Sequence, residues 1–302
     1  MYSDQIKLHL IVFIWGFTSI LGVLISIPSV EIVFYRTLIS AIALVGVLWA
    51  FNKTPFIKWR MVLKLVGTGF LVGLHWILFF ASAKVSNVSI CLAGVATCSL
   101  FTAFLEPLIK KTSIKWYEVM IGLMVLSGLY IIFHFEFGHF LGLSLSLMAA
   151  FTAAIFSILN SNFSKAEDPI VITFYEMVGA CLCCILVFPF YSNFLSESGS
   201  LQLDITLMDG IYLSILALVC TVLAFYVSVD IMKRVSAFNV NLTINLEPVY
   251  GIILAFVMFG EKEQMSPGFY AGTLVILVSV LLYPVLDKYL SKRRRRKQEL
   301  TA

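Results

Sequence analysis

Apolar residues run along this chain in long, almost unbroken blocks separated by short polar connections, a pattern neither of half-buried strands nor of surface helices. A hydrocarbon core of about 30 Å takes about 20 apolar residues in helical form. Blocks of that size lie near 7–27, 31–51, 61–83, 86–109, 116–134, 140–162, 169–190, 210–232, 236–259 and 267–286, and each predicts a transmembrane helix. The longest connection, 191–209, is Ser-rich and carries no Lys or Arg. The first block lacks a small-x-small cleavage site and is read as a retained helix, not a signal peptide.

Composition removes other classes. The chain has 302 residues, 60% of them hydrophobic and 13% charged, with a mean hydropathy of +0.98. No soluble domain of this size has polar residues to spare for covering so much apolar surface. Charge placement then gives a sidedness. With the N-terminus inside, 18 of the 21 Lys and Arg fall in inner segments, Lys84 and Lys262 in outer ones, and Arg36 within a span. Excess Lys and Arg mark the cytoplasmic side, so both termini are expected there, in a cytoplasmic (inner) membrane. Lys288 and the run Lys292 to Lys297 predict a basic tail against anionic lipid headgroups, not a nucleic-acid site.

The chain also repeats itself. Phe34-Tyr35-Arg36 recurs as Phe174-Tyr175-Glu176, Lys84-Val85-Ser86 as Arg234-Val235-Ser236, and Gly122 is answered by Gly272. Five spans per repeat is an odd number, so the second copy enters the membrane from the opposite side. The expected fold is therefore an all-α integral membrane protein, ten transmembrane helices arranged as two inverted five-helix repeats. The expected units are 1–135, 136–287 and a basic cytoplasmic tail, 288–302. The Leu-Glu-Pro strings at 105–107 and 246–248 are out of register with these offsets and are read as coincidence.

Ile14-Trp15-Gly16-Phe17, Pro28 followed by Phe34-Tyr35-Arg36, the Lys-Val-Ser turn, and Glu247-Pro248 followed by Phe259-Gly260-Glu261 together resemble the EamA-type family of the drug/metabolite transporter superfamily. The resemblance covers essentially the whole chain. It implies a ten-helix, two-repeat carrier that moves amino acids or other small metabolites, often outward, by alternating access. In one place the chain departs from the family pattern. Thr97-Cys98-Ser99 stands where the family commonly has a mid-helix proline in repeat one, which predicts a straighter fourth span.

Ionisable residues at membrane depth are functional candidates by default. Glu247 lies midway along the ninth span beside Pro248, with Asn241 and Asn245 on an adjoining face. It is a candidate for lining a substrate cavity and for proton coupling; the alternative is a carboxyl group that only joins helices. Arg36 suits a substrate carboxylate, or else a pair with Glu31. Glu176 occupies the matching repeat position and suits an amine. His75 is a second proton-coupling candidate or a neutral ring bonded to a carbonyl. Trp15, Trp76, Tyr35 and Tyr175 complete the cavity candidates, in a site expected between spans 1–4 and 6–9. Glu106, Glu118 and Asp230, near the inner boundary, are read as solvated. Gly67, Gly69, Gly73, Gly268 and Gly272 permit close helix contact within one chain or between copies, so monomer and homodimer both stay open.

All six cysteines fall in apolar runs, and Cys181, Cys183 and Cys184 lack the second pair a zinc site needs. No metal, cofactor or enzyme signature is found: no phosphate loop, no His-Glu-x-x-His, no nucleophile elbow. The expected function is a secondary carrier for a small metabolite, an amino acid or related compound, with proton-coupled export as one mode. The alternative is a multidrug or nucleotide-sugar-like antiporter; an intramembrane enzyme or a structural subunit fits less well.

Overall fold

A computed structural model describes residues 2–113, 116–196 and 199–301, and their side chains other than those of 2, 3, 133, 280, 283, 284, 287, 288 and 291–301. The basic tail lies in the last helix, but its side chains from 291 onward and that of Lys288 fall outside the described ones. The described residues form helices and no strand. The first half contains α1 (Tyr2–Gly16), α2 (Thr18–Leu24), α3 (Ser29–Ala50), α4 (Trp59–Val85), α5 (Val88–Val95), α6 (Cys98–Lys110) and α7 (Trp116–Phe135). The second contains α8 (Phe140–Phe163), α9 (Pro169–Phe194), α10 (Leu207–Ala217), α11 (Ala224–Ile231), α12 (Ala237–Ile244), α13 (Glu247–Phe259) and α14 (Pro267–Thr301).

Several of these join end to end into longer apolar rods. Among the described residues eight rods are long and apolar enough to cross a membrane, and the apolar stretches Trp116–Ile132 and Pro267–Ser279 are shorter. The rods are interrupted at informative places. Pro248 lacks the N–H that would bond the Ile244 carbonyl, and the chain turns at Asn245 and Leu246 between α12 and α13.

The fourth span, expected to be straighter, is broken as well, between α5 and α6. There the Thr97 hydroxyl donates to the Gly94 carbonyl at 2.7 Å, and the Thr97 N–H reaches the same oxygen at 3.1 Å. The break here is made without a proline, and the same hydroxyl bond occurs inside unbroken helices, as at Thr152 and Ser146 of α8. Between α10 and α11, six residues (Leu218–Leu223) form a π-helical turn that the apolar pattern gave no sign of.

Glycines set the closest contacts. At Gly69 and Gly73 of α4 any Cβ would press on the α9 backbone at Gly179 and Ala180, and Gly128 of α7 faces Gly272 of α14 in the same way. These glycines are therefore used in packing within the chain, while Gly67 has open space beside it.

Contacts between connecting segments sort them into two sets. At the basic end, Lys53 pairs with Asp168 at 2.8 Å, Tyr175 donates to the Pro55 carbonyl, and Arg234 pairs with Asp4 and Asp230. At the opposite end Asp209 accepts from the Ser26 N–H and hydroxyl, and Lys84 donates to the Ile25 and Ile27 carbonyls. Each end also has a carboxylate that caps a helix of the other repeat. Glu263, following α13, accepts from the N–H groups of Val88 and Ser89 and from the Ser89 hydroxyl. Glu106 of α6 accepts from the Phe238 N–H and from Lys110. A negative charge at a helix N-terminus is favourable. Glu106 is thus tied into the structure and not merely solvated, because the unpaired first turn of α12 needs an acceptor; Glu118 is buried too.

Candidate substrate cavity

The interruptions in three rods, those of spans 1, 4 and 9, meet partway along their lengths and leave a cavity between them of about 80 Å³. Its wall is drawn from α1, α2, α3, α4, α5, α6, α8, α11, α12 and α13. Six of the expected residues, Trp15, Arg36, His75, Trp76, Asn241 and Glu247, line it. The remaining wall is mostly aromatic and apolar, including Phe79, Phe156 and Phe225.

Arg36 is fully buried and does not reach toward the headgroups. Its Nε donates to the Thr221 hydroxyl at 2.7 Å, its guanidinium lies 3.9 Å over the Trp76 ring, and its Nη1 has no hydrogen-bond partner. Glu31, the alternative partner, instead accepts from the Gln202 N–H. Stacking on an aromatic face holds a guanidinium without neutralising it. Glu247 is buried and accepts no hydrogen bond among the described residues. It shares the cavity with Arg36 without an ion pair to it among the described residues, so the two ionisable side chains face the same space.

His75 Nδ1 lies 2.9 Å from the Ala149 carbonyl, so the ring is both anchored and cavity-facing. The Trp15 indole donates to the Cys220 carbonyl at 2.9 Å. Asn241 donates to Thr102 at 2.8 Å and Asn245 to Ser99 at 2.6 Å, stitching α12 and the turn after it to α6.

Four expected residues stand outside the wall. Asn245 is behind it, held by Ser99. Glu176 is fully buried on α9, which contributes nothing to the wall because its glycine face is pressed against α4. It touches the site only through Asn160, whose Nδ2 donates to Glu176 at 3.2 Å. The hydroxyls of Tyr35 and Tyr175 turn away to carbonyls at opposite ends, Leu203 and Pro55. The matching triplets thus mark equivalent anchoring positions and not the cavity itself.

The sequence reading missed Thr18, Ser157, Asn160 and Ser228 in the wall and Thr221 behind it. Hydroxyl and amide residues within apolar runs gave no signal to separate them from those that bond their own helix, as Thr37 and Thr68 do. All six cysteines are buried and free, and Cys98 lines the cavity.

At the basic end, outside the spans, electrostatics are ordinary. Partial burial pushes the Asp168 carboxyl up, but bonds from Lys53 and the Ile170 N–H more than offset this and leave it below the usual carboxylate range. Its hydrogen bond holds the Lys53 ammonium above its ordinary value, and Asp4 and Asp230 do the same for Arg234.

One crystal structure of a protein, 13% identical in sequence, superposes with a TM-score of 0.71 over 95% of this chain and 99% of its own length; at that identity the likeness concerns the fold. No curated protein matches the sequence. The EamA-like transporter family matches it twice in tandem, over residues 6–134 and 140–283. With its rods of membrane-crossing length and its two repeats, this multi-pass membrane chain belongs to the EamA-like transporter family.

Proposed function

We propose that the chain is a secondary carrier for a small zwitterionic metabolite, an amino acid or a close relative, working by alternating access in the cytoplasmic membrane. All ten apolar segments cross the membrane in this reading, as two inverted repeats with both termini cytoplasmic and the basic tail on anionic headgroups. The observation that carries it is the pairing of Arg36 and Glu247 across one aromatic-walled cavity. A carboxylate suits the unpartnered Nη1 edge of Arg36, an ammonium suits Glu247, and an apolar side chain suits the surrounding rings. Two ionisable side chains facing one space without contact at this depth are costly unless something completes them.

Glu247 is also the group best placed to exchange a proton with the cargo, with His75 beside the same space. A cationic drug as cargo would have to share the cavity with Arg36, which disfavours the multidrug alternative. The polar groups lie at mid-depth among aromatic rings, which suits passage of a molecule better than chemistry on a lipid at the interface. In proteoliposomes, Glu247→Gln should abolish flux driven by a pH gradient and weaken binding of amine-bearing cargo, and Arg36→Leu should lose affinity for carboxylate-bearing cargo. Unchanged gradient-driven flux in the first variant contradicts proton coupling; normal affinity in the second contradicts carboxylate binding.

A further inference from the structure

Span 8 contains a device that the cargo-binding reading does not use. From Leu218 to Leu223 the backbone is π-helical, a rare conformation that recurs at functional sites. Its hydrogen bonding is rearranged: the Ala224 N–H bonds to Val219 and Thr221, not to Cys220. The Cys220 carbonyl takes the Trp15 indole N–H instead, at 2.9 Å. One residue on, the Thr221 hydroxyl donates to the Leu216 carbonyl at 2.9 Å, which orients its lone pairs, and accepts from Arg36 Nε at 2.7 Å. Ser40, one turn beyond Arg36 on α3, donates to the Ala217 carbonyl at 3.1 Å and to that of Arg36 at 2.7 Å. Three side chains from spans 1 and 2 are thus seated on three residues of span 8, Ala217, Cys220 and Thr221, and two of them, Trp15 and Arg36, line the cavity.

We infer that Thr221 is a positioning residue: it holds the inner edge of the Arg36 guanidinium so that the Nη edge is presented to a carboxylate in the cavity. The geometry supports this directly. With Nε committed to Thr221 and the ring plane fixed over Trp76, only the Nη side is left for cargo, and Nη1 is the nitrogen that has no partner. A guanidinium free to turn about its last torsions would have to be ordered at each binding event, which weakens binding. The inference rests on the carrier reading for the identity of the cargo but not for the state of Arg36.

The test compares wild type, Thr221→Val, which keeps shape and removes the hydroxyl, and Thr221→Ser, which restores it. The first readout needs no ligand. The Arg36 Nε–H should give a slowly exchanging resonance in selectively labelled protein, assigned by its absence in Arg36→Lys. It should persist in Thr221→Ser and broaden or exchange quickly in Thr221→Val. The second readout is the ratio of Kd values for L-leucine and L-leucinamide, which differ in the carboxylate alone. Thr221→Val should weaken L-leucine about tenfold, leave L-leucinamide unchanged, and be rescued by Thr221→Ser. A protected Nε–H in Thr221→Val, or equal weakening of both ligands, overturns the positioning role. If wild type itself fails to distinguish the two ligands, carboxylate binding falls, while the resonance still decides whether Thr221 holds Arg36.

Discussion

The fourth and ninth spans have the same plan built from different residues. Each is an eight-residue helix, a two-residue interruption and a thirteen-residue helix: α5 with α6, and α12 with α13. Each opens on a side-chain cap, Asn87 in one and Ser236 in the other. Each has its first turn capped by a carboxylate from the other span, Glu263 for α5 and Glu106 for α12. Yet one break is followed by Pro248 and the other has no proline, with the Thr97 hydroxyl bonded to the Gly94 carbonyl, and where repeat two carries Glu247 on the cavity, repeat one carries Cys98. The interruption is therefore a property of the repeat, and proline is one local means of making it. The charge belongs to one repeat alone, which makes two halves of similar shape chemically unequal at their meeting point.

The comparison can be broken most forcefully at the caps. Glu263 is buried and serves three donors of α5, whereas Glu106 serves one backbone donor of α12 and a lysine. Glu263→Ala should lower the unfolding free energy in detergent by about 3 kcal/mol and Glu106→Ala by about 1 kcal/mol. Equal losses would mean that the two ends are held alike.

Next come the cross-links between the breaks. Double-mutant cycles on Asn245 with Ser99, and on Asn241 with Thr102, should each return a coupling of about 1 kcal/mol, the range for hydrogen bonds between membrane helices. A coupling near zero would detach the two broken spans from each other.

Smaller effects sharpen the point about proline. Pro248→Ala and Thr97→Val should each cost less than about 1 kcal/mol, with ligand stabilisation retained, because tertiary bonds hold each break in place. If Pro248→Ala alone removed ligand binding, the proline itself would be making the site.

The smallest effect belongs to the Lys53–Asp168 pair, which is half exposed. Asp168 is held below its ordinary value of 3.8, so its contribution is present above that value and lost as pH falls through its lower folded value. Lys53 is held above 10.5, so its contribution is present below that and lost as pH rises past its folded value. The difference in melting temperature between wild type and Lys53→Met should therefore be slight and flat from about pH 5 to 9. A slope within that window would place the pair's titration elsewhere.

Much of this was legible in the chain because membrane burial writes itself as uninterrupted apolar length, and because a costly residue at depth stands out against it. Arg36, His75, Trp15, Trp76, Asn241 and Glu247 were identifiable for that reason, and they meet in one wall. Less visible was whatever depends on which way a small polar side chain turns. Thr97 bonds a carbonyl at a helix break, Thr37 one within a continuous helix, and Thr221 holds an arginine, from the same residue type in the same apolar setting. The π turn has no residue signature. Glu176 and the two tyrosines shared a repeated motif whose common role is anchorage, so repetition alone pointed to the fold more surely than to the site.

The most direct test of the account is thermal unfolding of the purified protein in detergent with a library of amino acids, lipophilic cations and nucleotides, wild type beside Glu247→Gln and Arg36→Leu. A ligand at a hundredfold excess over its Kd stabilises the folded state by about 2.7 kcal/mol. The account predicts stabilisation of wild type by a neutral amino acid, with the effect lost in Arg36→Leu. Stabilisation by lipophilic cations or nucleotides alone, or an amino-acid effect that survives Arg36→Leu, would contradict it.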